Sequence, residues 1–167
     1  MNERCTVCST RLPRFHADPE RCSACSGTRK ALRFSKAAYD YRRQAAARDW
    51  ILALKHGGRV DLAGPLGAVL AEEFERTGWE ADGLVPVPLH PWRLFERGYD
   101  QARALSRATS QALGRRGRAL PSRSVLRRVR NTGPQGAEAP ELRLSNVAGA
   151  FRVSPRWLSE TERRGDN

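Results

Sequence analysis

Long apolar runs are absent from this sequence, and none approaches the roughly 20 residues that a membrane-spanning helix needs. The first residues also lack the pattern of a secretory signal peptide. Both absences argue against a membrane or secreted protein, so we expect a cytoplasmic one with no membrane span. At 167 residues, the chain has room for one domain with a real core and one small module.

Lysine is scarce, because 27 of the 30 basic residues are arginine. A GC-rich genome explains such a bias, so the composition as a whole says little about function. The distribution of charge says more. Eleven arginines face only two acidic residues between residues 93 and 130, which gives this segment +9 of the net +12. We expect a polyanionic partner or substrate, either nucleic acid or a phosphorylated small molecule.

Cysteine is confined to the first 25 residues, where four cysteines form two pairs with two residues inside each pair. The ligand set is Cys5, Cys8, Cys22 and Cys25, with thirteen residues between the pairs. Two such knuckles complete a tetrahedron of thiolates, so the spacing predicts a structural zinc ribbon over residues 1–33. The alternative is two disulfides, which a reducing compartment disfavours. His16 lies between the pairs, but four thiolates already suffice.

Apolar residues recur at helical spacing in three segments. The pattern predicts helices over 43–56, 61–76 and 100–113, with Asp61 as the N-cap of the second. Short apolar runs at 125–129 and 149–153 predict strands. We therefore expect an α/β domain over 34–153, followed by a disordered polar tail over 154–167.

The segment 84–101 joins a proline-studded apolar run to a basic, aromatic stretch. Prolines 86 and 88 have no N–H donor, so we expect a strand that stops pairing and turns outward. A basic loop over 92–97 and a sharp turn at Gly98 should follow. A strand that leads through a loop into a helix is where α/β proteins bind anions, because free N–H groups and the helix dipole meet there.

Five residues are therefore candidates for anion or phosphate binding: Arg93, Arg97, Gly98, Gln101 and Lys55. The two arginines are the predicted contacts, and Tyr99 and Gln101 are predicted to position the loop. For Tyr99 the alternative is packing in the core. Lys55 lies in the last turn of a predicted helix, where a partner of the helix dipole is the simpler interpretation. The alternative for the whole segment is a proline-rich connection with solvated arginines.

The stretch PVPLHPWRLFERGYDQARALS, residues 86–106, resembles the signature of the competence protein F (ComF) family, in which PVPLH and a basic loop precede RGFNQ. Asp100 stands where that family usually has asparagine. Further similarity lies in LKHGG at 54–58, in the pattern L-x-R-x-R-x-T from Leu126 to Thr132, in Gln135, in Arg143 with Asn146 and Val147, and in GAFRV at 149–153.

This resemblance implies an N-terminal zinc ribbon followed by a type I phosphoribosyltransferase-like domain. The domain would be a Rossmann-like parallel sheet with flanking helices. The resemblance also implies a role in DNA uptake during natural competence, with a protein of the competence machinery as a partner.

One family element has no counterpart after Val153. The family continues with an apolar strand, two adjacent acids and a Thr-Thr-Gly run that bind phosphoribosyl pyrophosphate (PRPP), whereas this sequence continues SPRWLSETERRGDN. We therefore expect an incomplete sheet and no phosphoribosyl transfer by this chain alone. PRPP and Mg²⁺ would bind productively only if the loop came from elsewhere. A truncation, a frameshift or a natural split would each explain the difference.

Three functions remain open. The first is a ComF-like protein related to phosphoribosyltransferases but catalytically incomplete. The second is a zinc-ribbon module that binds single-stranded DNA without chemistry, with an affinity that falls steeply with salt. The third is a transferase that borrows its PRPP loop from a partner chain.

Overall fold

The structure is a computed structural model that describes residues 4–8, 12, 20–23, 25–26, 34–41, 43–132, 145–155 and 157. Its elements are the helices α1 (Ala45–His56), α2 (Ala63–Thr77), α3 (Pro91–Arg97) and α4 (Gln101–Arg115), a 3-10 turn (Val60–Leu62), and the strands β1 (Leu126–Arg128) and β2 (Phe151–Val153). The chain forms two compact units, Met1–Ala47 and Arg48–Asn167. Gln135, Arg143, His16 and the predicted tail beyond residue 157 lie outside the described residues.

Helices α2 and α4 pack closely through a glycine. A Cβ atom placed on Gly67 would lie 2.6 Å from Cβ of Ala108 and 2.8 Å from N of Thr109. Only a residue without a side chain lets the two backbones approach this far. The contact sets the spacing of the helix pair that supports the rest of the second unit.

Two small apolar clusters extend from this helix pair. One contains Ala71, Ala112, Leu113 and Leu120, and the other contains Leu54, Ala63 and Leu66. The second cluster is contacted by Tyr99 and Leu105 and therefore joins the end of α1 to the start of α4. The end of α1 and Tyr99, which precedes α4, also line the pocket described below.

Strands β1 and β2 form an antiparallel pair in which Leu126 lies opposite Val153 and Arg128 lies opposite Phe151. Both strands fall inside their predicted segments. An isolated parallel bridge joins Leu84 to Ser122. The described residues therefore combine helices with a small antiparallel sheet, and this confirms a mixed fold without showing a parallel, Rossmann-like sheet.

The predicted basic loop over residues 92–97 is wrong, because these residues form helix α3. His90 caps it by accepting from N of Trp92 at 3.3 Å, and Pro91 takes the first helical position. Proline fits there because its missing N–H has no acceptor in the first turn anyway. The helix ends at Gly98, whose φ of 78° confirms the predicted turn.

The predicted capping role of Asp61 is also wrong. Asp61 lies in the 3-10 turn and accepts two hydrogen bonds from Arg59, at 2.7 and 2.9 Å. The hydrogen bond from Arg59 lowers the pKa of the Asp61 carboxyl. Leu62 precedes α2 instead and makes no side-chain cap. The Asp61 carboxylate is hydrogen-bonded to Arg59 and does not cap the N-terminus of α2.

A cysteine cluster and a cationic pocket

The four cysteines of the first unit converge. Their Sγ atoms all lie within 4.8 Å of one another, and those of Cys8 and Cys22 are 3.6 Å apart. A tetrahedral metal with sulfur bonds of about 2.3 Å needs sulfur atoms roughly 3.8 Å apart. The donor set therefore fits a metal ion such as zinc. None of the four is in a disulfide, and 3.6 Å is far from the sulfur–sulfur bond length of about 2.05 Å.

Local hydrogen bonds build the second knuckle. The N–H groups of Cys25 and Ser26 both donate to the carbonyl of Cys22, each at 2.9 Å, and so fold the chain back after the first ligand of the pair. Glu20 accepts from N of Thr6 at 2.8 Å, which joins the segments that carry the two pairs. The spacing of the cysteines and these turns together bring the thiols to one point.

The thiols of this cluster have divergent proton affinities. Burial raises the pKa of Cys5, but backbone hydrogen bonds from Cys22, Cys8 and Val7 outweigh it and lower that pKa to about 6. Burial and the neighbouring thiols raise the pKa of Cys25 to about 12. Thiolates this close repel one another, so a bound divalent cation would favour the loss of their protons.

The described part of the first unit has only a small apolar core around this cluster. Its buried apolar group consists of Cys5, Cys22 and Cys25 with only Val7 and Leu12. A core this small contributes little free energy of folding. A metal ion bound by the four cysteines would therefore add to the stability of the module.

The second unit contains a pocket of about 360 Å³ between the end of α1 and helix α3. It is lined by Lys55, His56, Arg93, Glu96, Arg97 and Tyr99, with backbone from Gly58. We call it the cationic pocket, because three basic side chains, those of Lys55, Arg93 and Arg97, face one acidic side chain. No described carboxylate lies within ion-pair distance of those cations, so their charge is available to a ligand.

Each of the three cations is placed in the pocket by its position on the helix that carries it. Arg93 and Arg97 are four residues apart on α3 and so share a face. Lys55 lies in the last turn of α1. The hydroxyl of Tyr99 donates to the carbonyl of Leu54 in that same turn and so fastens α1 to the residue after Gly98.

Gln101 and Asp100, at the start of α4, make a second set of hydrogen bonds that hold α3 and the segments around it in place. Gln101 accepts from Nη1 of Arg97 at 2.8 Å, and therefore orients this arginine without lining the pocket. Asp100 accepts from N of Arg103 and from N of Leu89, both at 3.0 Å, one with each carboxylate oxygen. It thus caps α4 and ties the segment before α3 to the helix after it.

The structure therefore brings the five candidate residues into one neighbourhood with different tasks. Lys55, Arg93 and Arg97 line the pocket, Gly98 makes the turn behind it, and Gln101 supports Arg97. Sequence reasoning missed His56 and Glu96, which stand next to predicted residues in the chain or on the helix. It gave Thr132 no part in the site either, although the carbonyl of Thr132 accepts from Nη2 of Arg93 at 3.3 Å.

No family model matches this chain, and neither does any curated protein or solved structure. The resemblance to the ComF family therefore remains a hypothesis based on sequence motifs. Among the described helices, none has both the length and the apolar character needed to cross a membrane.

Proposed function

We propose that this chain is a ComF-like protein related to phosphoribosyltransferases, whose cationic pocket binds the phosphate groups of a small phosphorylated ligand. The convergence of Lys55, Arg93 and Arg97 on one pocket supports this proposal more than any other observation. Arginine forks suit phosphate oxygens because they can donate two parallel hydrogen bonds. The volume of the pocket falls within the range of about 300–1,000 Å³ that is usual for small-molecule sites.

The proposal concerns binding and leaves turnover out. The sequence contains no adjacent aspartates followed by a Thr-Thr-Gly run, which is the composition that holds PRPP and its Mg²⁺ in the family it resembles. A Rossmann-like parallel sheet belongs to the same proposal and is supported, among the described residues, by the parallel bridge between Leu84 and Ser122. The context of DNA uptake, and a partner from the competence machinery, follow from the resemblance alone.

Titration calorimetry with PRPP and with inorganic pyrophosphate tests the pocket. We expect the K55M/R97M double variant to lose at least about tenfold in affinity, because each charge-assisted hydrogen bond is worth roughly 1.5–3 kcal/mol. The matched control is R107M, which removes a cation from an exposed position of α4 that does not line the pocket.

Wild-type protein that binds neither probe at millimolar concentration contradicts the proposal. Equal losses in R107M and in the pocket variant also contradict it, because they point to a diffuse charge effect. Unchanged thermal unfolding of the variants confirms that a loss of binding comes from the pocket.

We also propose that the cysteine cluster holds a structural Zn²⁺. Four thiolates fill a tetrahedral site and leave no position open for a substrate, so the metal has no part in chemistry. Elemental analysis of the purified, reduced protein should find one zinc per chain. A sample that is folded and free of metal contradicts this part of the proposal.

Exposed aromatic residues on α3 favour a second candidate function, the binding of single-stranded DNA. The side chains of Trp92 and Phe95 are 58% and 82% exposed, with ring centroids 6.3 Å apart. Nucleic-acid bases stack on such rings while arginines contact the phosphates. Two cations of the pocket lie on the same helix, so both kinds of contact are within reach of one strand.

Fluorescence anisotropy with a labelled oligonucleotide separates the two functions. We expect F95A to weaken binding about fivefold or more, since stacking is worth roughly 1–3 kcal/mol per base. The control is W50A, because Trp50 is also exposed, at 44%, but lies on α1. If F95A and W50A bind the oligonucleotide as wild type does, α3 is not a stacking platform.

A further inference from the structure

Thr132 accepts hydrogen bonds from two arginines. Nη2 of Arg93 donates to its carbonyl oxygen at 3.3 Å, and Nη2 of Arg128 donates to its hydroxyl. Thr132 itself is only 7% exposed, so it offers both acceptors from a buried position. One residue therefore links a cation of the cationic pocket to strand β1.

Arg128 is held in an unusual environment. Its guanidinium lies 5.4 Å from the centre of the Phe151 ring, which belongs to its cross-strand neighbour. Its Nε is buried and has no hydrogen-bond partner among the described residues. Burial, and then the positive charge of Arg93, lower the pKa of Arg128. A buried donor left unsatisfied beside a like charge costs free energy, so the contacts of Arg128 with Thr132 and Phe151 are what hold it there.

Arg93 has little else to hold it. The bond to Thr132 is the one hydrogen bond that its side chain makes with the described residues. A free arginine side chain loses considerable rotamer freedom when it binds a ligand, and a side chain that is already fixed avoids that loss. The position of Arg93 thus depends on the position of Thr132.

We propose that Arg128 is a positioning residue for the cationic pocket, acting through Thr132 to fix the guanidinium of Arg93. The expected effect on ligand affinity rests on the proposed phosphate binding. The expected effect on the position of the Arg93 side chain does not. Phe151 and Thr132 hold Arg128 from two sides, Arg128 holds the hydroxyl of Thr132, and the carbonyl of Thr132 holds Arg93. The small antiparallel sheet is then a support for the pocket.

Two variants break this chain of contacts at different points, and a third is a matched control. R128M removes the arginine, and T132V removes only the hydroxyl while it keeps the carbonyl and all charges. R127M removes the same charge from the adjacent position of β1, where the side chain is exposed and lies opposite Arg152. With inorganic pyrophosphate as the probe, we expect R128M and T132V to lose roughly tenfold in affinity and R127M less than twofold.

A second measurement needs no ligand. The ¹⁵N-labelled Nε–H group of Arg93, assigned by its loss in R93K, reports how firmly the side chain is held. We expect a high heteronuclear NOE in wild type and in R127M, and a clearly lower one in R128M and T132V. R128K keeps the charge and a group that can donate to the Thr132 hydroxyl, and should recover part of both effects.

The two measurements keep the inference and the proposed function apart. If wild type binds no pyrophosphate but the Arg93 signal still loosens in R128M, positioning stands and phosphate binding fails. Equal losses of affinity in R127M and R128M overturn the inference, because charge alone then explains both. An Arg93 signal that is unchanged in R128M and T132V overturns it as well. If R128M does not fold, T132V decides.

Discussion

Replacing Asp100 tests most directly the hydrogen bonds that join the segment before α3 to helix α4. It uses one carboxylate oxygen to cap α4, at N of Arg103, and the other to accept from N of Leu89, at 3.0 Å in each case. Asparagine, the residue usual at this place in the family that the sequence resembles, has only one acceptor oxygen. Its amide NH₂ would therefore face one of the two backbone N–H groups.

We predict that D100N destabilises the second unit. The loss of one hydrogen bond to a charged acceptor, with a partly buried donor left unsatisfied, costs about 1.5 kcal/mol. For a unit of this size, that corresponds to a fall in melting temperature of roughly 6 °C. The D100A variant also loses the helix cap, which adds about 1 kcal/mol.

Thermal unfolding followed by circular dichroism at 222 nm measures the effect. The control is D82N, because Asp82 is exposed and forms no ion pair or hydrogen bond with the described residues. It changes the net charge by the same amount. If D100N melts within 1 or 2 °C of D82N, the two backbone contacts of Asp100 do not stabilise the second unit, and the reasoning is wrong.

Three further predictions address other parts of the molecule. In urea unfolding, G67A should lower the free energy of unfolding by about 2 kcal/mol, because the new Cβ would clash with Ala108. The control is G64A on the same helix, where a Cβ meets nothing within 4 Å, and this variant should be neutral or stabilising. Y99F should lower pyrophosphate affinity several-fold in calorimetry, since it removes the hydroxyl that donates to Leu54; an unchanged affinity refutes the role of that bond. Chelation with EDTA should release the metal and unfold the cysteine module. Release should be easier as pH falls, because thiols must lose protons to bind metal. A near-ultraviolet dichroism signal that survives complete removal of the metal contradicts a metal-dependent fold.

Local spacing was sufficient for several features. The two pairs of cysteines predicted the cluster, because two residues between thiols place both on one turn. Helical periodicity predicted α1, α2 and α4 within a few residues of their ends. The i, i+4 spacing of Arg93 and Arg97 could also have shown that they share a face. The prolines and aromatic residues around them favoured a loop instead, and this hid the seven-residue helix α3.

Contacts between distant residues were beyond the reach of sequence patterns. No sequence pattern indicates that Thr132 accepts a hydrogen bond from an arginine 39 positions earlier, or that the Tyr99 hydroxyl bonds to the end of α1. The sequence by itself determined which residues carry charge, which can bind metal and which segments coil into helices, because those properties depend on neighbours a few positions away. Only the tertiary structure decided which cations face one another across a pocket, because that depends on how helices pack and on which buried carbonyls need a donor.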